Sequence, residues 1–499
     1  MTQQALVVPT VVRSRRRTTA KRPISLVVVA GMLRIIDAAI IVGSGILAHA
    51  AYSGIPEGSW SNYYLAALTG ALLATVVFHL NQLYRIDGGA ILTATARLFS
   101  SWSAVMLTLV VMAYLLRLSE SYSRAWVVLW FAAALIGMGL SRAGLKLMQR
   151  HWMLEGRLTR TVAIVGGGSH AARLMRRLAL GAEPGINAPG GSAVGIKVLG
   201  YFDDRSARSD PEIEKLGCSR LGTVEDLIEL ARREPVDQII VALPWSAETR
   251  VLKLLQKLRS LPIDIALAPD LVGFSVSRSA YAALGGVVLL QVFSKPLADW
   301  RLVMKDIEDR GLALLMLILF GPLLLLIAFL IKLDSRGPVF FRQPRYGFNH
   351  QLINVLKFRT MYTHLADVRA EKLATRNDPR VTRIGRFLRR SSLDELPQLI
   401  NVLRGDMSIV GPRPHPLSAR AADRLYEEVV EEYAARHRVK PGITGWAQVH
   451  GWRGETDTYD KIKKRVEYDL FYIENWSLAL DIKILLMTAV AVFRAENAY

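Results

Sequence analysis

The sequence predicts three parts: a membrane bundle of four spanning α-helices, a Rossmann-like α/β domain, and an α-rich C-terminal domain that dips one helix into the membrane. Three observations carry this expectation. Four apolar segments lie between residues 24 and 150, strands and helices alternate from Thr161 onward, and a 20-residue apolar run at 312–331 has basic residues on both flanks. Composition agrees, since 51% hydrophobic residues and a mean hydropathy of +0.25 suit a membrane protein, and 499 residues suit two or three domains.

Residues 1–23 read as a basic cytoplasmic N-terminus, with Arg13, Arg15, Arg16, Arg17, Lys21 and Arg22 ahead of an apolar stretch at 24–51. Ala48-His49-Ala50 mimics a signal-cleavage site, but the stretch far exceeds a signal core of about 7 to 15 residues. It is therefore a first transmembrane helix. Arg34 and Asp37, three apart on one helical face, are expected to pair inside the bundle. Three further spans follow near 62–80, 98–118 and 125–145, completing a transmembrane domain at 24–150. Four spans return the chain to its starting side, and the flanks agree: Arg142, Lys146, Arg150, Arg157 and Arg160 follow the fourth, while loop 53–61 holds no base.

The net charge of +20 calls for an anionic partner. The cationic residues cluster beside apolar segments and no nucleic-acid recognition motif accompanies them, so membrane lipid headgroups are expected and nucleic acid is not. The single cysteine, Cys218, excludes an intrachain disulfide and has no metal-site spacing.

At 158–292 the strands 161–165, 198–202, 237–243 and 264–267 alternate with helical segments, which argues an open parallel sheet. The turn Gly166-x-Gly168 resembles a dinucleotide-binding start. Its third small residue falls only approximately, at Ala171 or Ala172, and Asp203-Asp204 lies well beyond the usual distance of about 20 residues. A structural or dimer-forming domain is the favoured reading over a bound dinucleotide.

The last domain, 295–499, opens with an amphipathic helix at 297–310 expected to lie along the membrane interface. The apolar run 312–331 could cross a bilayer by length, but Gly321-Pro322 stands at its midpoint, where proline removes a helix hydrogen bond. Lys295, Arg301, Lys305 and Arg310 precede it; from Lys332 to Arg390 there follow 14 Lys and Arg against four acids. A simple span would place one basic set outside, whereas a re-entrant helix keeps both inside. Within this basic surround stands Ser392-Leu393-Asp394-Glu395. As a pattern, Ser392-x-x-Glu395 is a capping box opening an amphipathic helix, with both acids serving only the helix N-terminus. The same placement keeps a carboxylate ionised and therefore nucleophilic.

Six blocks choose between these readings. They are residues 334–343 (Asp-Ser-Arg-Gly-Pro-Val-Phe-Phe-Arg-Gln), 357–361 (Lys-Phe-Arg-Thr-Met), 377–385 (Asn-Asp-Pro-Arg-Val-Thr-Arg-Ile-Gly), the Leu393-to-Gln398 core, 408–414 (Ser-Ile-Val-Gly-Pro-Arg-Pro) and 441–449 (Pro-Gly-Ile-Thr-Gly-Trp-Ala-Gln-Val). In this order they resemble the catalytic domain of bacterial polyprenyl-phosphate hexose-1-phosphate transferases, the monotopic phosphoglycosyl transferases. Pro344 departs from the acid that the family often has after Arg-Gln. The resemblance implies an inner-membrane enzyme with its catalytic domain on the cytoplasmic face. That enzyme takes a UDP-sugar and undecaprenyl phosphate, releases UMP, and proceeds through an aspartyl-phosphosugar on Asp394. It also implies Mg²⁺ at Asp394 and Glu395, and a non-catalytic middle domain. Lys357, Arg359, Arg380, Arg386 and Arg413 are the candidate phosphate holders, Arg413 foremost because Pro412 and Pro414 stiffen its loop. Thr444, Trp446, Gln448, Arg453 and Glu455 fall in the region whose form is that of glucose-transferring members. UDP-galactose is the alternative donor, and a membrane-anchored nucleotide-binding scaffold is the alternative from another class; a homodimer is compatible with either.

Overall fold

The computed structural model describes residues 24–52, 60–84, 91–181, 195–205, 210–268, 282–284, 287–363, 378–415, 420–421, 424–425, 432–452 and 458–493. The chain divides into two compact units, 1–160 with 192–195, and 161–191 with 196–499.

The first unit is built from α1 (Leu26–Ala51), α2 (Trp60–Leu80), α3 (Ile91–Leu115) and α4 (Arg124–Leu154), each long and apolar enough to cross a membrane. Ser25 caps α1, its hydroxyl accepting from the Val28 N–H at 3.3 Å. Helices in lipid gain little from apolar burial itself, so contact requires small residues and shared hydrogen bonds. Both are present. Trp126 and Trp130 are buried and donate their indole N–H to the carbonyls of Gly45 and Ile41, each at 2.8 Å. A Cβ at Gly70 would stand 2.7 Å from the Trp130 ring, so glycine is what admits the indole there. Asp37 does not pair with Arg34 as expected. Its carboxylate takes both terminal nitrogens of Arg142 on α4 at 2.8 Å, while the Arg34 guanidinium lies over the Tyr84 ring, 5.1 Å from its centroid. A partner on a neighbouring helix can offer the two-pronged geometry that one turn of the same helix cannot.

The second unit begins with a seven-stranded sheet in the order β3-β2-β1-β4-β5-β7-β6. Its strands are β1 (Thr159–Val165), β2 (Gly195–Phe202), β3 (Arg220–Gly222), β4 (Gln238–Val241), β5 (Asp264–Leu267), β6 (Ala282–Leu284) and β7 (Val287–Phe293). The connecting helices are α5 (Ser169–Gly181), α6 (Pro211–Lys215), α7 (Val224–Arg233) and α8 (Glu248–Leu258). Pairings of β1 with β4, β4 with β5 and β2 with β3 are parallel, but β7 runs antiparallel to β5 and to β6, so the sheet is mixed at one edge. Apolar clusters lie on both faces: Val162, Ile164 and Ile240 meet α5 on one, Ala163, Ile239 and Ile265 meet α7 and α8 on the other.

The C-terminal part holds α9 (Asp299–Asp334), the antiparallel hairpin β8 (Phe340–Tyr346) and β9 (Leu352–Phe358), then α10 (Arg383–Ser391), α11 (Gln398–Arg404) and β10 (Ser408–Val410). A short hairpin, β11 (Arg420–Ala421) and β12 (Arg424–Leu425), precedes β13 (Gly442–Thr444), which runs parallel to β10. Among the described residues, three further helices follow: α12 (Trp446–Val449), α13 (Tyr459–Glu474) and α14 (Leu478–Phe493).

α9 is one helix of 36 residues with Pro322 inside it, and it too is long and apolar enough to cross a membrane. Its first turns do not form a separate surface helix. Lys305 and Asp309 are buried, the Lys305 ammonium donating to Asp481 Oδ2 at 2.6 Å and lying 3.2 Å from Asp309 Oδ1, which accepts from the Ser408 hydroxyl and Ile409 N–H. Ala313 packs with Leu399, Val402 and Met407, while Ile327 and Ile331 pack with Phe358 and Leu388. Both halves of α9 thus rest on the same C-terminal fold. Leu314, Leu315, Ile318, Leu319, Leu325, Leu326 and Phe329 face outward and exposed.

Candidate active site

Asp394 and Glu395 lie in a single 3₁₀ turn, Leu393–Glu395, between α10 and α11. The capping-box reading fails here. Ser392 has φ +57° in the left-handed region, ends α10, and its side chain does not cap the turn. Glu395 instead turns inward and is buried. Lys357, next to the end of β9, donates to Glu395 Oε1 at 2.8 Å; Arg413 donates to Oε1 at 2.5 Å and to Oε2 at 3.0 Å. Burial alone would raise this carboxyl, but Arg413 and Lys357 outweigh it and hold Glu395 well below the usual range.

Asp394 is half-buried beside this cluster. Burial pushes its carboxyl upward, against the pull of Lys357, Arg389 and Arg413 and with the push of Glu395. Two neighbouring carboxylates therefore have different environments: one carries the hydrogen bonds of the cations, the other is left more basic beside them.

Further cations hold the frame. Arg389, in the last turn of α10, donates to the Thr360 hydroxyl at 3.0 Å, and its charge acts on both Asp394 and Asp378. Arg345 on β8 donates to Gln343 Oε1 at 2.7 Å and to the Pro414 carbonyl; burial and the neighbouring Arg413 lower its guanidinium to about 10. α10 reaches this position because Gly385 lies against strand-end backbone, where a Cβ would stand 2.1 Å from the Thr360 carbonyl oxygen.

Of the residues singled out in the sequence, Asp394, Glu395, Lys357 and Arg413 converge. Arg359 turns away: it is buried, and its guanidinium holds the carbonyls of Ile331, Ser335 and Arg336 at the C-terminal end of α9. Arg380 forms a fork on Asp378 at 2.6–3.0 Å, and this Arg380 pairing holds the Asp378 carboxyl down at about 2 against the effect of burial. Arg386 is exposed on α10. Thr444 bonds the Thr488 hydroxyl at 2.7 Å, Gln448 donates to the Ile443 carbonyl at 3.3 Å, and Trp446 stacks on Phe471, meets the His450 ring at a tilt, and has the Lys483 ammonium over its ring. Arg453 and Glu455 lie outside the described residues. Arg345 and Arg389 were not singled out, although both stand in the counted basic run; their burial, not their number, distinguishes them.

Among the described residues no three His, Cys, Asp or Glu side chains converge on a metal position. Mg²⁺ bound instead through one or two carboxylates completed by substrate phosphates and water would need Asp394 alone, since both Glu395 oxygens already accept from Arg413 and Lys357.

The α/β domain has its own anion. Gly166 takes φ +118° at the turn after β1, and the neighbouring Gly167 N–H donates to Asp203 Oδ2 at 2.9 Å. Asp203 Oδ1 accepts from the Arg205 N–H and from Arg250, at 3.0 and 2.8 Å. A phosphate entering this turn would have to displace a buried, arginine-paired carboxylate.

Residues 300–495 match the family model of bacterial sugar transferases, and residues 79–269 match a CoA-binding domain. The chain is 37% identical to a UDP-glucose:undecaprenyl-phosphate glucose-1-phosphate transferase of Xanthomonas campestris pv. campestris, over 94% of each chain. It is 37% identical to the Escherichia coli (strain K12) protein of the same name, over 89% of this chain and 92% of that one. An undecaprenyl-phosphate glucose phosphotransferase of Komagataeibacter xylinus is 43% identical over 69% of this chain and 61% of its own. With the paired carboxylates and their cationic frame inside the matched region, and similarity running nearly end to end, the chain belongs to the bacterial sugar transferase family and is an enzyme.

Proposed function

We propose that this enzyme transfers glucose 1-phosphate from UDP-glucose to undecaprenyl phosphate and releases UMP, on the cytoplasmic face of the inner membrane, as the first membrane step of exopolysaccharide synthesis. The observation that carries the reading is the unequal carboxylate pair: Glu395 is clamped by Arg413 and Lys357, and Asp394 stands next to it, more basic, within reach of the same cations. The names of the full-length relatives supply the donor and acceptor.

In this reading Asp394 Oδ attacks the β-phosphorus of UDP-glucose, the phosphoanhydride bond breaks, and UMP leaves with the bonding electron pair. The acyl phosphate so formed carries glucose. The phosphate oxygen of undecaprenyl phosphate then attacks the same phosphorus, restoring the Asp394 carboxylate and forming the lipid diphosphoglucose. Two displacements suit substrates that arrive from water and from lipid, and they give ping-pong kinetics. Arg413 and Lys357 keep Glu395 ionised and hold positive charge where the diphosphate must approach a carboxylate. Bound at Asp394, with Glu395 beside it, Mg²⁺ would neutralise phosphate oxygens and make the phosphorus more electrophilic.

The same reading takes 24–150 as a four-span anchor, 158–292 as a non-catalytic α/β domain, and 295–499 as the catalytic domain with 312–331 re-entering the membrane. Both halves of α9 resting on one fold supports the re-entrant form, because a straight span would carry its ends to opposite faces.

The test measures UMP release from UDP-glucose with undecaprenyl phosphate and Mg²⁺ in detergent, with intact-protein mass recorded before lipid is added. Asp394→Asn is expected to lose at least about 10³-fold in rate and to show no phosphoglucose adduct. Undiminished release by that variant overturns the nucleophile; faster turnover of UDP-galactose overturns the sugar.

A further inference from the structure

The segment Pro412-Arg413-Pro414 presents Arg413 to Glu395, yet its two prolines have no N–H by which to be anchored. Its three carbonyls, however, are all held. Gly442 N–H donates to the Pro412 carbonyl at 2.9 Å, Arg436 Nη2 donates to the Arg413 carbonyl at 2.9 Å, and Arg345 donates to the Pro414 carbonyl.

The middle contact is the most constructed. Arg436 lies in the turn Tyr433–Arg438 and Asp469 on α13; both are buried, with Arg436 Nε donating to Asp469 Oδ2 at 2.7 Å. A third nitrogen, Arg436 Nη1, meets His415 Nδ1 at 2.9 Å, one residue beyond Pro414. A buried ion pair is a poor source of stability, because desolvation offsets most of the attraction. What such a pair supplies is a fixed fork. Its charge is balanced by Asp469, so its effect on the site is one of geometry.

We propose that Arg436, oriented by Asp469, is the positioning residue that aims Arg413 at Glu395. This rests on the catalytic reading above, in which Arg413 acts on the reacting carboxylate pair. Lysine at 436 keeps the charge and loses the planar three-way fork.

The experiment is a double-mutant cycle on the full chain in detergent, measuring kcat and KM for UMP release from UDP-glucose with undecaprenyl phosphate, with melting midpoints recorded alongside. Arg436→Lys is expected to lower kcat/KM about tenfold or more, mainly in kcat, and Arg413→Lys by at least as much. Because the first acts through the second, the double variant should be no slower than Arg413→Lys alone. Losses that multiply in the double variant, or a rate that falls only in step with the melting midpoint, overturn the inference and leave Arg436–Asp469 as fold support. Should Arg436→Lys not fold, Asp469→Asn, which keeps an acceptor for Arg436, enters the same cycle with the same expected outcome. Wild-type protein without UMP release overturns the catalytic reading and this inference together; an active wild type with an additive cycle overturns the inference alone.

Discussion

At the scale of single residues, the site depends on a buried carboxylate whose charge is tolerated because two cations touch it. Removing one cation leaves Glu395 under-compensated in a buried position, which typically costs about 3–5 kcal/mol. Arg413→Met is therefore expected to lower stability by roughly that amount, read as an earlier midpoint in chemical denaturation, and to lower kcat/KM by at least about 10²-fold. Little of this geometry is visible in a residue pattern. Lys357 and Arg359 are two apart, and strand alternation would put them on one face, but β9 ends at Phe358, so Arg359 leaves that face and closes the end of α9. The Ser392-x-x-Glu395 spacing matched a cap, yet the left-handed backbone at Ser392 and the cations waiting behind Glu395 decided otherwise. Tertiary partners, far away in sequence, set both outcomes.

At the scale of elements, α10 is where backbone sterics and chemistry meet. It packs so close to Thr360 that no side chain fits at Gly385, and its last turn brings Arg389 toward Asp394. Gly385→Ala is expected to lift the helix, destabilise the catalytic domain by about 1–3 kcal/mol as overpacking does, and lower kcat several-fold; unchanged melting and rate would contradict this account. The elements most legible beforehand were the buried aliphatic strands β1, β4 and β5, because short apolar runs bounded by turns have few other homes. β7 is as apolar, but its direction follows from pairing with β5 and β6, which no local run of residues encodes. Likewise the apolar content of α9 was plain, whereas the burial of Lys305 against Asp481, 176 residues later, was not.

At the scale of the whole second unit, the α/β domain and the catalytic fold meet around histidines. Asn349 donates to the Ala231 carbonyl at the end of α7, at 3.0 Å, and Arg259 joins Glu432 and Glu474. His350 stacks on Tyr346 and stands edge-on to His437. Burial and the Arg232 charge lower His350 to about 4; burial, with Arg436 foremost among the charges, holds His437 well below its ordinary value. Both therefore resist protonation in the folded state. A depressed histidine contributes its stability fully above the unfolded value of about 6.5, and that contribution is lost as pH falls from there toward about 4. The melting midpoint of the detergent-solubilised protein is thus expected to drop between about pH 6.5 and pH 4, and to drop less in His350→Gln.

The seating of both halves of α9 on one fold, with its leucines and isoleucines turned outward, has a kinetic counterpart. In the re-entrant form proposed above, the enzyme meets its lipid by a two-dimensional search, so what it senses is the surface density of the acceptor. Diluting undecaprenyl phosphate with inert detergent at fixed bulk concentration is therefore expected to slow turnover in proportion to its mole fraction, while the dependence on UDP-glucose in the surrounding water stays as it was.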